Sequence, residues 1–328
     1  MSTPGHPLSI FVTAPGASSA SGAPGAVDER VAKIQAAVPG VECRAFRQAA
    51  EMAPYIQDAD VILGFVGEEL LPRATRLRWV HSPAAGPDDL LYPDMVASEV
   101  VVTCSKGNGA VPLAEYAIMM MLMLSRSAVR AVHAHDEHRW DRFAHPELNG
   151  QTCGIIGLGY SGLDLALKAK AFHMRVLGVR RTDRPAPNVD ALFPRARLRA
   201  FLSQSDFVVV TAPRTPETIG MLGEAEFRAM KRTAYYICFS RGGIADDAAL
   251  LRALTEGWIA GAGLDAHSEE PLPPDSPFWT APNTLVTPHN GATSFATPER
   301  GLEIFIDNLR RYLAGQPLRN VVDKRAGY

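Results

Sequence analysis

Thr152-Cys153-Gly154-Ile155-Ile156-Gly157-Leu158-Gly159-Tyr160-Ser161-Gly162 is an apolar run that breaks into glycines and then resumes at helical spacing. It reads as a strand, a tight turn and a helix. The glycines have separate duties at this spacing: Gly157 permits the turn, Gly159 lets backbone approach a pyrophosphate, and Gly162 lets helix pack on strand. Leu163, Leu165, Ala166, Ala169 and Phe172 then supply an apolar helical face, so the free N–H groups and positive dipole end of the helix point at bound phosphates. A second strand-like run, Met174 to Val179, follows. A glycine turn without a ligand would not require that order of elements.

The rest of the chain sets bounds around this unit. Its 328 residues suit two domains of ordinary size, and 47% hydrophobic with 21% charged residues is a globular composition. A formal net charge of -2 gives no basic footprint, so nucleic acid is not expected as a partner. The longest apolar run, Tyr116 to Leu124, is far short of a membrane span and reads as a buried helix whose methionines fill irregular gaps. Met1 to His6 shows no basic region followed by an apolar one, and Cys43, Cys104, Cys153 and Cys238 are scattered, so a cytoplasmic location with reduced cysteines is the expectation. His133, His135 and His138 do not share one helical face, so no metal is expected.

Strand-like runs at 8–13, 42–46, 60–65, 78–81 and 100–103 alternate with helical or turn stretches, which argues for a parallel sheet covered by helices. Asp28 is a candidate cap for a helix ending near Ala37, and 14–25 reads as a flexible loop. Gly107-Asn108-Gly109 suits a hinge, a binding loop or an ordinary connector, and a long helix is predicted from Pro112 to about Ser127. The polar stretch 128–149, with Trp140 and Phe143, suits either an extended arm at a subunit contact or a solvated helix. A second set of strands is expected at 206–211, 235–239, 261–264 and 284–287, and Pro298 to Leu313 is an amphipathic helix with apolar residues at 302, 305, 309 and 313. The fold class expected is α/β, with two domains, 1–107 plus 295–328 and 108–294, and a cleft between them.

Four stretches begin where strand-like runs end: Ala212-Pro213-Arg214-Thr215-Pro216-Glu217-Thr218, Phe239-Ser240-Arg241-Gly242-Gly243, Leu264-Asp265-Ala266-His267-Ser268-Glu269-Glu270-Pro271 and Thr287-Pro288-His289-Asn290-Gly291. In an open parallel sheet that edge is where ligands bind. Taken in order, and with Ala110-Val111-Pro112-Leu113-Ala114-Glu115 and Ser125-Arg126, they resemble the D-isomer-specific 2-hydroxyacid dehydrogenases. The resemblance runs from about Trp79 to about Ala292. It implies a flavodoxin-like substrate domain, a Rossmann nucleotide domain, a homodimer, and reduction of a small 2-oxo acid such as glyoxylate or hydroxypyruvate.

Carried over by position, the resemblance implies a catalytic set of Arg241, Glu270 and His289, with Asp265 holding the nicotinamide carboxamide. The cofactor is expected against Gly157, Gly159, Tyr160, Ser161, Gly162, Arg180, Arg181, Thr182, Ala212, Pro213, Thr218, Phe239, Ser240, Arg241, Asp265 and His289. Substrate is expected against Ala85, Gly86, Asn108, Arg241 and His289, although Ser82 to Gly86 also reads as a plain turn. The residue types fit the chemistry independently. An arginine fork matches a carboxylate, a histidine titrates near neutrality, and a neighbouring carboxylate orients the ring and favours its protonated form.

Where β-strand 174–179 ends, the chain reads Arg180-Arg181-Thr182 with no carboxylate for a ribose hydroxyl, so NADPH is predicted over NADH, solvated arginines being the alternative. Two departures stand out. Cys238 replaces the Asn common three residues before the catalytic arginine, as either a reactive or an inert buried thiol. Asn108 lies where relatives carry other side chains, so substrate choice does not transfer. Glu270 speaks against a formate-type enzyme, which typically has Gln there. A phosphite-type dehydrogenase and a dinucleotide-sensing, corepressor-like binding protein remain alternatives.

Overall fold

The computed structural model describes residues 6–13, 26–182 and 184–327. The loop expected at 14–25 lies outside the described residues. In chain order the elements are β1 (Ser9–Thr13), α1 (Ala26–Ala37), β2 (Glu42–Phe46), β3 (Val61–Leu63), β4 (Trp79–Ser82), α2 (Pro93–Ala97), β5 (Val101–Cys104), α3 (Ala110–Ser125), α4 (Ala128–Asp136), β6 (Thr152–Ile156) and α5 (Tyr160–Ala171). They continue with β7 (Arg175–Val179), β8 (Ala191–Phe193), α6 (Leu198–Leu202), β9 (Phe207–Val210), α7 (Glu224–Ala229), β10 (Tyr235–Cys238), α8 (Asp247–Thr255), β11 (Gly261–Leu264), β12 (Thr284–Val286) and α9 (Thr297–Leu313).

The chain divides into two compact units, Met1–Gly109 with Thr293–Tyr328, and Ala110–Ala292. In the first, five parallel strands lie in the order β2-β1-β3-β4-β5, the flavodoxin-like winding. Strands buried on both faces carry continuous apolar runs such as Phe11-Val12 and Val61-Ile62-Leu63. The last helix of the chain covers this sheet. Leu302, Phe305 and Leu309 of α9 are buried, with Phe305 and Tyr312 stacked on Trp79 at centroid distances of 5.2 and 5.5 Å. Leu313, expected on the same face, is 49% exposed because the helix ends there. Asp28 falls inside the first turn of α1, where its charge suits the dipole, and is not the cap.

In the second unit seven parallel strands run in the order β12-β11-β10-β9-β6-β7-β8. The winding reverses between β6 and β9, which pair from Cys153 opposite Phe207 to Ile156 opposite Val210, and such a switch point is where an α/β sheet binds ligands. α3 is the buried helix expected, with Met120 and Met121 enclosed while Met119 is 38% exposed. Phe172 sits past the end of α5 and is 38% exposed, while Gly162, Leu165, Ala166 and Ala169 are the buried residues of the helix. Between α4 and β6 the chain has no helix or strand. Arg130 and Arg139 both pair with Asp141 at 2.7 Å, Arg130 lies over Phe143, and Trp140 is left 91% exposed. Among the described residues no helix is long and apolar enough to cross a membrane.

Candidate active site

Every chemical group discussed next except the substrate turn belongs to the second unit. At the end of β6, Gly157 takes φ +100°, and a Cβ there would lie 2.6 Å from the Ala212 backbone nitrogen. A Cβ on Gly162 would collide with the Gly157 carbonyl oxygen, whereas one on Gly159 would meet nothing within 4 Å. The first and third glycines are therefore required by close packing, and the second faces open space where a ligand fits. No side chain caps α5, so its first-turn N–H groups and positive dipole end suit an anion. These residues fit a dinucleotide pyrophosphate. Tyr160 and Ser161 occupy that first turn, and Ala212-Pro213 form the facing edge beyond β9. Thr218 accepts from the Thr215 N–H and donates to the Pro213 carbonyl, each at 2.7 Å, so it braces this loop.

Beyond β7, the Arg180 Nε donates to the Thr182 hydroxyl at 2.9 Å, and Arg181 and Thr182 are exposed. The Glu217 carboxyl is held below its ordinary range by the Thr215 hydroxyl first, then by its own N–H; desolvation opposes this, and the charges of Arg181 and Arg195 contribute least.

The reactive groups sit on three loops that follow β10, β11 and β12. His289 Nδ1 lies 2.8 Å from Glu270 Oε2, and the two side chains are 39% and 36% exposed. Glu270 Oε1 accepts the His267 backbone N–H at 2.9 Å. Partial burial pushes the Glu270 carboxyl up, but the His267 N–H and the His289 ring more than offset it, leaving it below its ordinary range. His289 has φ +51°, a left-handed conformation that a non-glycine residue keeps only when its surroundings hold it. Asp265 supplies that hold. Fully buried, its carboxylate accepts the Thr287 hydroxyl at 2.7 Å and the Asn290 and Gly291 N–H groups at 2.8 Å each. The sequence reading had assigned Asp265 only to a cofactor; as an anchor for the histidine loop it was missed, because its donors lie 22 to 26 residues away.

Arg241 follows Phe239-Ser240 on the β10 loop and donates from Nη1 to the Ser240 carbonyl at 2.7 Å. Cys238 is buried, which pushes its thiol up, and Sγ donates to the Arg241 carbonyl at 3.4 Å. A neutral thiol acting as donor agrees with the inert alternative. Among the described residues no group of His, Cys, Asp and Glu could hold a metal ion.

In the first unit, the Ser105 N–H donates to the carbonyls of Ser82 and Ala84 at 3.0 and 2.9 Å, closing the turn that carries Ala85 and Gly86. Their own N–H groups have no partner among the described residues. Asn108 is buried and its amide donates to the Pro83 carbonyl at 3.3 Å, so it supports this turn from behind.

The family model for the D-isomer specific 2-hydroxyacid dehydrogenase NAD binding domain matches residues 118–291. A glyoxylate reductase of Korarchaeum cryptofilum is 34% identical over 82% of this chain and 84% of its own length. Among solved structures, a D-isomer specific 2-hydroxyacid dehydrogenase family protein from Aeromonas salmonicida superposes with a TM-score of 0.86 at 28% identity, covering 98% of this chain and all of the other. An NADPH-dependent glyoxylate/hydroxypyruvate reductase from Sinorhizobium meliloti, in complex with NADP and sulfate, does so at 0.83 and 30% identity, covering 98% of this chain and 100% of the other. With a glycine cradle, a switch-point sheet and a relative of this similarity over most of its length, the chain belongs to the D-isomer-specific 2-hydroxyacid dehydrogenases and is a pyridine-nucleotide-dependent oxidoreductase.

Proposed function

We propose that the protein reduces a small 2-oxo acid, such as glyoxylate or hydroxypyruvate, to the D-2-hydroxy acid, with NADPH preferred. The observation that carries this is the 2.8 Å His289–Glu270 pair on loops beside Arg241, at the ligand-binding edge of a nucleotide-type sheet. With Nδ1 engaged by Glu270, Nε2 is the ring atom left for substrate. In reduction Nε2–H donates its proton to the carbonyl oxygen, and in oxidation the same atom takes the hydroxyl proton. Glu270 keeps the ring oriented through its bond to Nδ1. Arg241 holds the substrate carboxylate by a planar two-bond contact, and the N–H groups of Ala85 and Gly86, without a partner among the described residues, are proposed as substrate-binding groups of the first unit. A nicotinamide cofactor held by these residues would supply the hydride for the carbonyl carbon. Asp265 accepts the carboxamide N–H in this reading while anchoring the His289 loop. Arg180 and Arg181 pair with a 2'-phosphate, and the NADP in the Sinorhizobium meliloti structure supports that choice by similarity.

The test is nicotinamide absorbance followed with a panel of 2-oxo acids and phosphite, each with NADPH and NADH. Turnover of glyoxylate or hydroxypyruvate with higher kcat/KM for NADPH is expected. Turnover of phosphite alone, or tight cofactor binding with no turnover, would replace this reading by the phosphite-type or sensor alternative. A cytoplasmic homodimer goes with the proposal, and exposed Trp140 beside α4 is the surface feature that supports a second copy as partner.

A further inference from the structure

The three reactive loops meet at a residue to which sequence reasoning assigned no role. His267 lies between Asp265 and Glu270, and each of its polar groups but one reaches a different part of the site. Its backbone N–H donates to Glu270 Oε1 at 2.9 Å, as described above. Its ring Nε2 lies 2.9 Å from the Thr287 carbonyl oxygen, two residues before His289. A carbonyl can only accept, so Nε2 carries the hydrogen and the tautomer is determined by geometry. The same Thr287 oxygen also receives the His289 backbone N–H at 3.1 Å, so the ring of His267 and the backbone of His289 share one anchor. On the other side, a Cβ at Gly242 would overlap the His267 carbonyl, so the residue after Arg241 packs directly on the His267 backbone. His267 Nδ1 has no partner among the described residues. The ring itself is half-buried and is not one of the groups placed against substrate or cofactor.

We propose that His267 is a positioning residue for the reaction: by bonding Glu270 through its backbone and the Thr287 carbonyl through its ring, it holds the Glu270 and His289 loops, beside Arg241, in the spacing that proton transfer needs. The inference rests on the role given above to His289 and Glu270. It follows physically from the left-handed backbone at His289, which must be held from outside, and from the sensitivity of proton transfer to displacements of a fraction of an ångström. The Asp265 carboxylate holds the loop at the Thr287 hydroxyl and at the Asn290 and Gly291 N–H groups, and the His267 ring adds a bond to the Thr287 carbonyl. Of the two, His267 alone also bonds the Glu270 carboxylate, so it ties the His289 loop to the Glu270 loop.

The ring bond is separable from the rest. His267→Phe keeps a planar side chain, the backbone N–H to Glu270 and the Gly242 contact, and removes only the Nε2–H. His267→Gln restores an N–H near that position without an aromatic ring. Wild type, both variants and His289→Ala are to be compared for kcat, KM for the 2-oxo acid, NADPH affinity by fluorescence and thermal midpoint. His267→Phe is expected to lower kcat by about 5- to 100-fold with NADPH affinity unchanged, and His267→Gln is expected to recover most of the loss. Wild-type kcat in His267→Phe, a His267→Gln enzyme as slow as His267→Phe, or loss of NADPH binding in step with kcat would each overturn the proposal. The controls keep it apart from the functional reading itself. A wild-type enzyme without 2-oxo acid turnover, or a fully active His289→Ala, overturns that reading and this proposal together, whereas an unchanged His267→Phe overturns this proposal alone.

Discussion

The two units each carry a histidine at a strand end, and the fold treats them in opposite ways. His81, at the end of β4 in the first unit, is fully buried. The Trp79 indole N–H donates to the Thr103 hydroxyl at 2.7 Å, and that hydroxyl donates to His81 Nδ1, also at 2.7 Å. His81 Nε2–H then donates to Ser105 Oγ at 3.0 Å, which donates to the Gly301 carbonyl. The chain of bonds is satisfied with a neutral ring and contains no charge, and burial pushes the His81 pKa down to about 3. His289, in the second unit, is part-exposed and faces a carboxylate. One imidazole is thereby held neutral among hydroxyls, and the other is paired with a carboxylate, as the proposed proton transfer needs. The difference lies in the neighbours, since the side chain is the same.

The comparison can be broken at either end. The largest effect is expected at His289, where replacement by Ala should lower kcat by roughly two to four powers of ten, as for loss of a general acid. Steady-state assays check this, and full activity would make His289 as bystanding as His81. The next effect belongs to His81 and is read in stability. Its folded-state pKa lies below the ordinary 6.5, so the unfolded chain binds the proton first and stability present above pH 6.5 is lost as pH falls toward 3. Urea titrations should show the advantage of wild type over His81→Gln shrinking by about 1.4 kcal/mol per pH unit across that window. A constant difference from pH 7 to pH 4 would show that the ring is not held neutral. The smallest effect is expected at Arg241→Lys, which keeps the charge and loses the fork. A rise in KM for the 2-oxo acid of about tenfold, larger than any fall in kcat, should result, and an unchanged KM would remove Arg241 from carboxylate binding.

Much of this was readable before the fold was known, for local reasons. Strands covered on both faces are nearly uniform apolar runs, so β6, β9 and β10 announce themselves. The boundaries of β2 and β11 match the reading residue for residue because glycine or polar residues stop them. Edge strand β8 was missed, since three residues between Asp190 and Pro194 carry too little pattern to register. That Arg241, Glu270 and His289 stand on loops just beyond strands was legible because the apolar runs before them stop short of each. His267 was not, although a second histidine three residues before Glu270 was a signal that could have been followed. Phe172 was misread because helical spacing continues past the point where the chain leaves α5.

The sequence by itself determined where strands, glycine turn and helices fall, and which loops hold reactive side chains. Those follow from sterics and from periodicity within a few residues. Only the tertiary structure decided what each side chain became. It set Asp265 beneath the His289 loop, His267 between two loops and His81 among hydroxyls, because their partners come from strands some twenty residues away that meet only when the sheets assemble.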